Sequence, residues 1–406
     1  MKTTELENLK QTSVLLQTTG AEAVIQSLKA EGVKTIFGYP GGAIMPIYDA
    51  LFDHLEEINH VLTRHEQGAI HAAQGYARTS GKTGVVFATS GPGATNLITG
   101  LADALIDSTP LVCITGQVAS HLLGTDAFQE TDVMGISMPV TKWNCQVTKA
   151  ADIAPALAKA FYIASSGRPG PVLVDITKDA QFEKLDFSYE KCTAVRSFQP
   201  KPKLNADQLQ AASKLLNEAK KPLMIVGQGI MLSNAEDELL VFAEKTGVPV
   251  ASTLLGLGAF PANHPQFVGM VGMHGNYAPN VKSNECDVLL AVGMRFDDRV
   301  TGDVSRYAKQ AKVVHIDIDA AEINKIIKAA LALLTDLVEK QNHQSWLDEF
   351  HQAKENELQV LSKNRNNDFA DQIRMDLVID LLSQKTNGNA VIVTDVGQHQ
   401  MMTEKV

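Results

Sequence analysis

Short apolar runs that alternate with stretches of helical spacing recur along this chain and limit its fold. Thr35-Ile36-Phe37, Val85-Val86-Phe87-Ala88, Leu111-Val112-Cys113-Ile114 and Val172-Leu173-Val174-Asp175 are such runs. Between them, Gly20–Glu31 and Asn96–Asp107 carry apolar residues at helical intervals. That alternation predicts an α/β class: a parallel sheet with helices on both faces, from about Thr19 to Thr177. A second alternating unit has strands expected at Leu223–Val226, Val248–Ala251, Val288–Val292 and Val313–Ile316, with a helix at Ala235–Thr246. Between the two, the polar stretch Glu183–Leu204, with Pro200-Lys201-Pro202, reads as a linker. A charged helix follows at Ser345–Ser362, then the polar segment Lys363–Asp371. A third unit opens with a helix at Ile373–Gln384, the turn Asn387-Gly388-Asn389 and a strand at Ala390–Thr394. One strand and one helix cannot cover both sheet faces, so this unit reads as incomplete. The expected divisions are 1–182, 183–204, 205–340, 341–371 and 372–406.

A chain of 406 residues predicts two or three such domains with ample core. The net charge of -10 offers no basic face for phosphates, which argues against a nucleic-acid partner. No run approaches the length of a membrane span, and Met1–Gly20 has no apolar leader core. Cys113, Cys145, Cys192 and Cys286 are too scattered for a metal pair and read as buried free thiols of a reducing cytoplasm.

The turns carry the chemistry. Glu66 follows His60-Val61-Leu62, where a strand ends, and precedes a small-residue helix expected at Ala69–Ala77. An acid there is ordinarily helix-end electrostatics. Its neighbours point further: Gly38-Tyr39-Pro40-Gly41-Gly42 and Ser90-Gly91-Pro92-Gly93-Ala94-Thr95-Asn96 each follow an apolar run too. Three strand-end turns of this kind predict one wall of a cofactor pocket. In the second unit, Val226-Gly227-Gln228-Gly229 either admits a phosphate or adenosine or is an ordinary tight turn, since G-x-G-x-x-G is incomplete. Gly293-Met294-Arg295-Phe296-Asp297-Asp298-Arg299 and His315-Ile316-Asp317-Ile318-Asp319 place acids at strand ends, where they either accept ribose hydroxyls or join a surface ion network.

These turns, with Arg64-His65-Glu66-Gln67-Gly68-Ala69, Gly124 to Asp132, Gly167-Arg168-Pro169-Gly170-Pro171-Val172, Gly272-Met273-His274-Gly275, Arg295 to Gly302 and Val396-Gly397-Gln398-His399-Gln400-Met401, carry a resemblance. From about Thr19 to Met401 the chain resembles the acetohydroxyacid synthase (acetolactate synthase) family of catalytic large subunits. The resemblance implies thiamine diphosphate, FAD and Mg²⁺ as cofactors. It also implies decarboxylation of pyruvate and transfer of the two-carbon unit to a second 2-keto acid, pyruvate or 2-ketobutyrate. It implies that Glu66 bonds the thiamine pyrimidine and that Tyr39, Pro40, Gly41, Pro92, Asn96, Gln129, Gly397, Gln398 and His399 surround the coenzyme. Gln129 lies near the reacting carbon, and Arg299 holds the second substrate's carboxylate. By the same resemblance Arg168, Gly229, Thr253, Leu254, His274, Gly275, Gly293, Arg295, Asp297, Asp317, Ile318 and Asp336 hold FAD, while Lys178 and Asp298 line the substrate channel. A homodimer or homotetramer and a small regulatory subunit are the partners it implies.

The chain departs from the pattern twice. Around Asp336 one register makes it the aspartate of a Gly-Asp-Val turn, with threonine replacing glycine, and another puts it in the following helix. The family's Gly-Asp-Gly…Asn-Asn metal motif has no counterpart here. No metal ligand is therefore assigned, and the Mg²⁺ ligands are expected beyond Val406, in a region of roughly 150 residues at usual domain size. Two other readings stand beside this one. A related pyruvate oxidase, glyoxylate carboligase or decarboxylase is opposed by Phe128-Gln129-Glu130 and Arg299. A shortened, non-catalytic flavoprotein is the other.

Overall fold

The computed structural model describes residues 16–200, 204–319, 327–365, 375–387, 389–394, 397 and 400. By internal contacts the chain divides into two compact units, Met1–Pro200 and Lys201–Val406.

The first unit begins with β1 (Leu16–Thr19), whose last residue caps α1 (Gly20–Ala30) by accepting the Glu22 N–H at 3.2 Å. There follow β2 (Thr35–Gly38), α2 (Met45–Phe52), β3 (Asn59–Leu62), α3 (Glu66–Ser80), β4 (Gly84–Ala88), α4 (Pro92–Thr95) and α5 (Ile98–Ile106). The unit ends with β5 (Leu111–Gln117), β6 (Trp143–Val147), β7 (Pro171–Thr177) and β8 (Lys184–Phe187). Six strands form one parallel sheet in the order β3-β2-β4-β5-β7-β6. Every residue of β4, β5 and β7 is buried, as expected of strands covered on both faces. The two-residue period sorts their side chains. Val85, Phe87, Val112 and Val174 pack with Val24, Ile25, Leu157 and Phe161, whereas Val86, Ala88, Cys113 and Leu173 pack with Ile70, Ala73, Leu97 and Leu101.

The second unit repeats the plan with β9 (Pro222–Val226), β10 (Val250–Ser252), β11 (Phe267–Met270), β12 (Val288–Val292) and β13 (Lys312–Ile316), all parallel in the order β11-β10-β9-β12-β13. Met224, Leu290 and Val292 pack with Leu239 and Phe242, and Leu223, Leu289 and Ala291 with Trp346 and Phe350.

Several expectations change. The helix at Ala69–Ala77 starts three residues earlier, which brings Glu66 into its first turn. The helix expected at Asn96–Asp107 is α5, Ile98–Ile106, and the short α4 precedes it at Pro92–Thr95. β10 starts after Pro249, which has no N–H to donate to the ladder although its carbonyl accepts the Met224 N–H at 3.0 Å. The edge strands β6 and β11 escape a search for continuous apolar runs because they are short, mixed in composition and paired on one side only. Glu183–Leu204 is not all connection: β8 pairs antiparallel with β1, from Leu16 opposite Phe187 to Thr19 opposite Lys184. Residues 389–394 form no strand, and Val391 and Val393 are 95% and 90% exposed. Extended backbone needs a hydrogen-bonding neighbour to become a strand, and no described residue supplies one there. All four cysteines are free, but only Cys113 and Cys286 are buried, with Cys145 and Cys192 half-buried.

Candidate functional site

In the first unit the chain runs from β2 outward to β3 and then returns to lay β4 on the other side of β2. Such a reversal opens a crevice beyond the carboxyl ends of the strands. The three turns singled out by sequence leave neighbouring strands there: Gly38–Gly42 from β2, Glu66 after β3, and Ser90–Asn96 after β4. Hydrogen bonds tie them together. Thr63 Oγ1 donates to the Gly38 carbonyl at 3.3 Å, and the Ala43 N–H donates to Thr89 Oγ1 at 3.1 Å. Asn96 Nδ2 donates to Glu66 Oε2 at 2.9 Å.

Glu66 is 7% exposed and stands at the amino end of α3, where the helix dipole favours its charge. His65 caps that helix by accepting the Gln67 N–H through Nδ1 at 3.1 Å. The other carboxylate oxygen, Oε1, would lie 3.2 Å from a Cβ on Gly93, so the absence of a side chain keeps the acid's approach open. Gly91 has φ +55°, and a Cβ there would meet the Gln129 carbonyl at 2.6 Å. Gln129 itself has φ +58° and is exposed on the loop after β5. Glu130 closes that loop by accepting N–H groups from Gly124, Thr125 and Ala127, which hold its carboxyl below the usual range, the Gly124 bond foremost. Burial first, then the charge of Glu66, push the Tyr48 hydroxyl above the ordinary phenol range. That hydroxyl is buried without a hydrogen-bond partner among the described residues.

Tyr39 and Pro40 are exposed at the crevice, and Gly41 packs on Thr89. Pro92 opens α4, where its missing N–H costs no bond. Lys178 is exposed where the chain leaves β7 at the same sheet edge, and Gln181 of its helix donates to the Ala43 carbonyl at 2.9 Å. Arg168 is not with this group. It precedes β7 at the opposite sheet edge, its Nε donating to Ser108 Oγ at 2.8 Å and its Nη2 to the Ile106 carbonyl at 3.1 Å. Thr89 and Gly93 also shape this site, a part that their local sequence does not announce. The available signal for Gly93 is its place in a glycine-rich turn, five residues past the end of β4.

In the second unit the reversal falls between β9 and β12, and the two glycine turns meet there. A Cβ on Gly293, at φ +60°, would lie 2.8 Å from Gly229 Cα, so only bare backbone fits between the turns. Thr253 follows β10 and accepts the Gly256 N–H at 3.2 Å, fixing the turn that includes Leu254. Asp297 caps a short helix through the N–H groups of Arg299 and Val300, at 2.9 and 3.1 Å. Asp317 is buried and accepts the Asp319 N–H at 2.9 Å, with Ile318 between them half-buried. Arg295 is half-buried. His274 and Gly275 sit in the loop after β11, which Asn276 and Asn280 brace by bonds to Met270 and Gly272. Asp298 and Arg299 are exposed and 3.8 Å apart, a loose pair rather than a network. Met273 N–H donates to the Arg299 carbonyl at 2.8 Å, so the arginine's turn and the Gly272–Gly275 loop are joined.

Asp336 is exposed in the last turn of the helix Ile327–Leu337, which matches the second of its two registers and not the Gly-Asp-Val turn. Gly397 is described, but Gln398 and His399 lie outside the described residues. Among the described residues no group of three or more His, Cys, Asp or Glu could hold a metal ion, and no helix is long and apolar enough to cross a membrane.

Comparison with known proteins gives this geometry a family. Residues 18–136 match the thiamine pyrophosphate enzyme N-terminal TPP binding domain, and residues 209–340 the thiamine pyrophosphate enzyme central domain. The chain is 44% identical to a probable acetolactate synthase large subunit of Methanocaldococcus jannaschii, over 94% of this chain and 67% of that protein. It is 46% identical to the acetolactate synthase large subunit of Corynebacterium glutamicum (94% and 63%) and 45% identical to that of Haemophilus influenzae (94% and 69%). It thus spans about two thirds of the length of these relatives. On this likeness, sustained through both sheets and the turns that leave them, the chain belongs to the acetolactate synthase large-subunit family.

Proposed function

We propose that this chain provides the pyrimidine-binding and central parts of an acetolactate synthase. Its reaction is the decarboxylation of pyruvate and the joining of the two-carbon unit to a second pyruvate or to 2-ketobutyrate. The observation that carries the reading is the buried Glu66 carboxylate, bonded by Asn96 and bordered by bare Gly93 at the crevice. Thiamine diphosphate, when bound, supplies the electron sink for loss of carbon dioxide from a 2-keto acid. Glu66 holds and passes the proton of the pyrimidine ring nitrogen at its carboxylate oxygen, and Asn96 fixes that carboxylate's orientation. Tyr39, Pro40, Gly41 and Pro92 wall the coenzyme, and Gln129 faces the reacting carbon. Arg299 grips the second substrate's carboxylate by its planar fork of donors; Lys178 in the first unit and Asp298 in the second carry the channel roles that the family resemblance implies.

FAD belongs to the same proposal. Gly229 and Gly293 bring their turns together backbone on backbone at the β9/β12 crevice, and Asp317, Ile318, Arg295, Asp297, Thr253, Leu254, His274 and Gly275 border the same strand ends. Arg168, in the first unit, keeps the flavin role only as the family resemblance implies it. The described residues do not fit Mg²⁺, so no step is routed through it, and its ligands are sought outside them. An assembly of two or four chains, a small regulatory subunit and a cytoplasmic location complete the reading. Light scattering on the purified protein tests the assembly, and flavin absorbance that survives gel filtration tests the FAD site.

The decisive measurement is exchange of the coenzyme's C2 proton in wild type and Glu66→Gln. Loss of exchange with coenzyme still bound supports the reading. Unchanged exchange removes Glu66 from it.

A further inference from the structure

The Gln129 loop is anchored by a buried carboxylate that belongs to no candidate ligand position. Asp175 lies in β7, fully buried, in a strand otherwise built of Pro171, Val172, Leu173, Val174, Ile176 and Thr177. Its Oδ1 accepts from Thr115 Oγ1 at 2.6 Å. Its Oδ2 accepts from Gln117 Nε2 at 3.1 Å and from Gln146 Nε2 at 2.9 Å. Gln117, also fully buried, ends β5 just where the Gln129 loop begins. The same Nε2 donates to the Thr131 carbonyl at 3.1 Å, and its Oε1 accepts the Val118 N–H at 2.9 Å. One amide therefore fastens both ends of the loop, residues 118 and 131, and Asp175 holds that amide in the orientation that makes both bonds possible.

We propose that Asp175 is a positioning residue: through Gln117 it fixes the loop that presents Gln129 to the crevice. The consequence for catalysis rests on the role given to Gln129 above; the anchoring does not. A carboxylate suits the task because three donors converge on it, and two acceptor oxygens leave none of them unmet. Leucine of similar volume would offer no acceptor, so the Gln117 amide would lose the bond that sets its orientation. Burial pushes the Asp175 carboxyl up against the pull of those three donors, and the nearby Asp132 adds to the rise.

The test combines amide hydrogen exchange with kinetics on the full chain. Asp175→Leu and Gln117→Glu are expected to speed exchange in peptides covering 118–133 while β4 and β7 stay protected. Gln146→Leu, which removes a bond to Asp175 but none to the loop, is the control and leaves 118–133 unchanged. Acetolactate formation by the first two variants falls on the order of tenfold to a hundredfold through kcat, with coenzyme affinity kept. Unchanged exchange in 118–133 for both variants overturns the positioning role. A loosened loop with undiminished turnover leaves the anchoring in place and instead sinks the part assigned to Gln129.

Discussion

The two units put their candidate residues at the same topological place, the carboxyl ends of parallel strands where strand order reverses, but they hold them by different means. In the first unit the bonds that shape the crevice reach far along the chain. Asn96 to Glu66 spans 30 residues, Thr89 to Ala43 spans 46, and Thr115 to Asp175 spans 60. In the second unit the turns are largely self-made. Asp297 caps residues two and three places on, Asp317 bonds two places on, Thr253 three, and Asn276 and Asn280 six and eight places back. The first site exists only when its sheet is assembled. The turns of the second are set by their own sequence and merely gathered by the sheet.

Five measurements bear on this contrast. The largest effect is expected at Glu66: Glu66→Gln should lower acetolactate formation on the order of a hundred- to ten-thousandfold, as for loss of a proton-transferring group. A coupled product assay with wild-type flavin content checks it. Next, Phe87→Ala empties a fully buried position in β4 and should cost about 3–5 kcal/mol. Amide exchange should rise through the first unit, Glu66 crevice included, with the Asp297 and Thr253 turns still protected; equal loss of protection in both units would erase the contrast. Gly293→Ala should cost about 1–2 kcal/mol for the left-handed backbone alone, and more from contact with Gly229, seen as a lower melting temperature together with loss of flavin absorbance. Asp297→Ala should cost about 1 kcal/mol, the worth of a helix cap, read as faster exchange confined to Arg299–Thr301.

The smallest effect is a pH dependence. Burial tends to raise the Asp179 carboxyl, but hydrogen bonds led by those from Ser120 and Thr177 bring it down to about 2. A depressed acid stabilises the fold above its unfolded value, about 4, and that contribution disappears as pH falls through the folded value. Wild type should therefore melt slightly above Asp179→Asn at pH 6, and the gap should close between about pH 4 and pH 2. A gap that widens on acidification would reverse the sign.

Much of the fold was legible because its strongest signals are local. Val85–Ala88, Leu111–Ile114, Leu223–Val226 and Val288–Val292 are apolar at every step, as strands buried on both faces must be. β6 and β11, open on one side, carry no such run, and β8 was hidden in a polar stretch because its only partner is β1. Glu66, Gly91, Gly229 and Gly293 could be found because an acid or glycine just after an apolar run is conspicuous. Asp175 stood in plain view at the end of such a run, yet nothing near it in sequence named Gln117 or Gln146 as its partners.

The chain's own order of residues thus determines two alternating α/β units, the turns at their strand ends and the carboxylate most worth attention, since periodicity and turn chemistry act over a few residues. Only the tertiary structure decides that β2, β3 and β4 lie side by side, that Asn96 holds Glu66, and that Gln117 ties the Gln129 loop to Asp175. Those contacts close loops of tens of residues. Such closure becomes favourable only when whole helices and strands bury their apolar faces together, and no local stretch of sequence records that outcome.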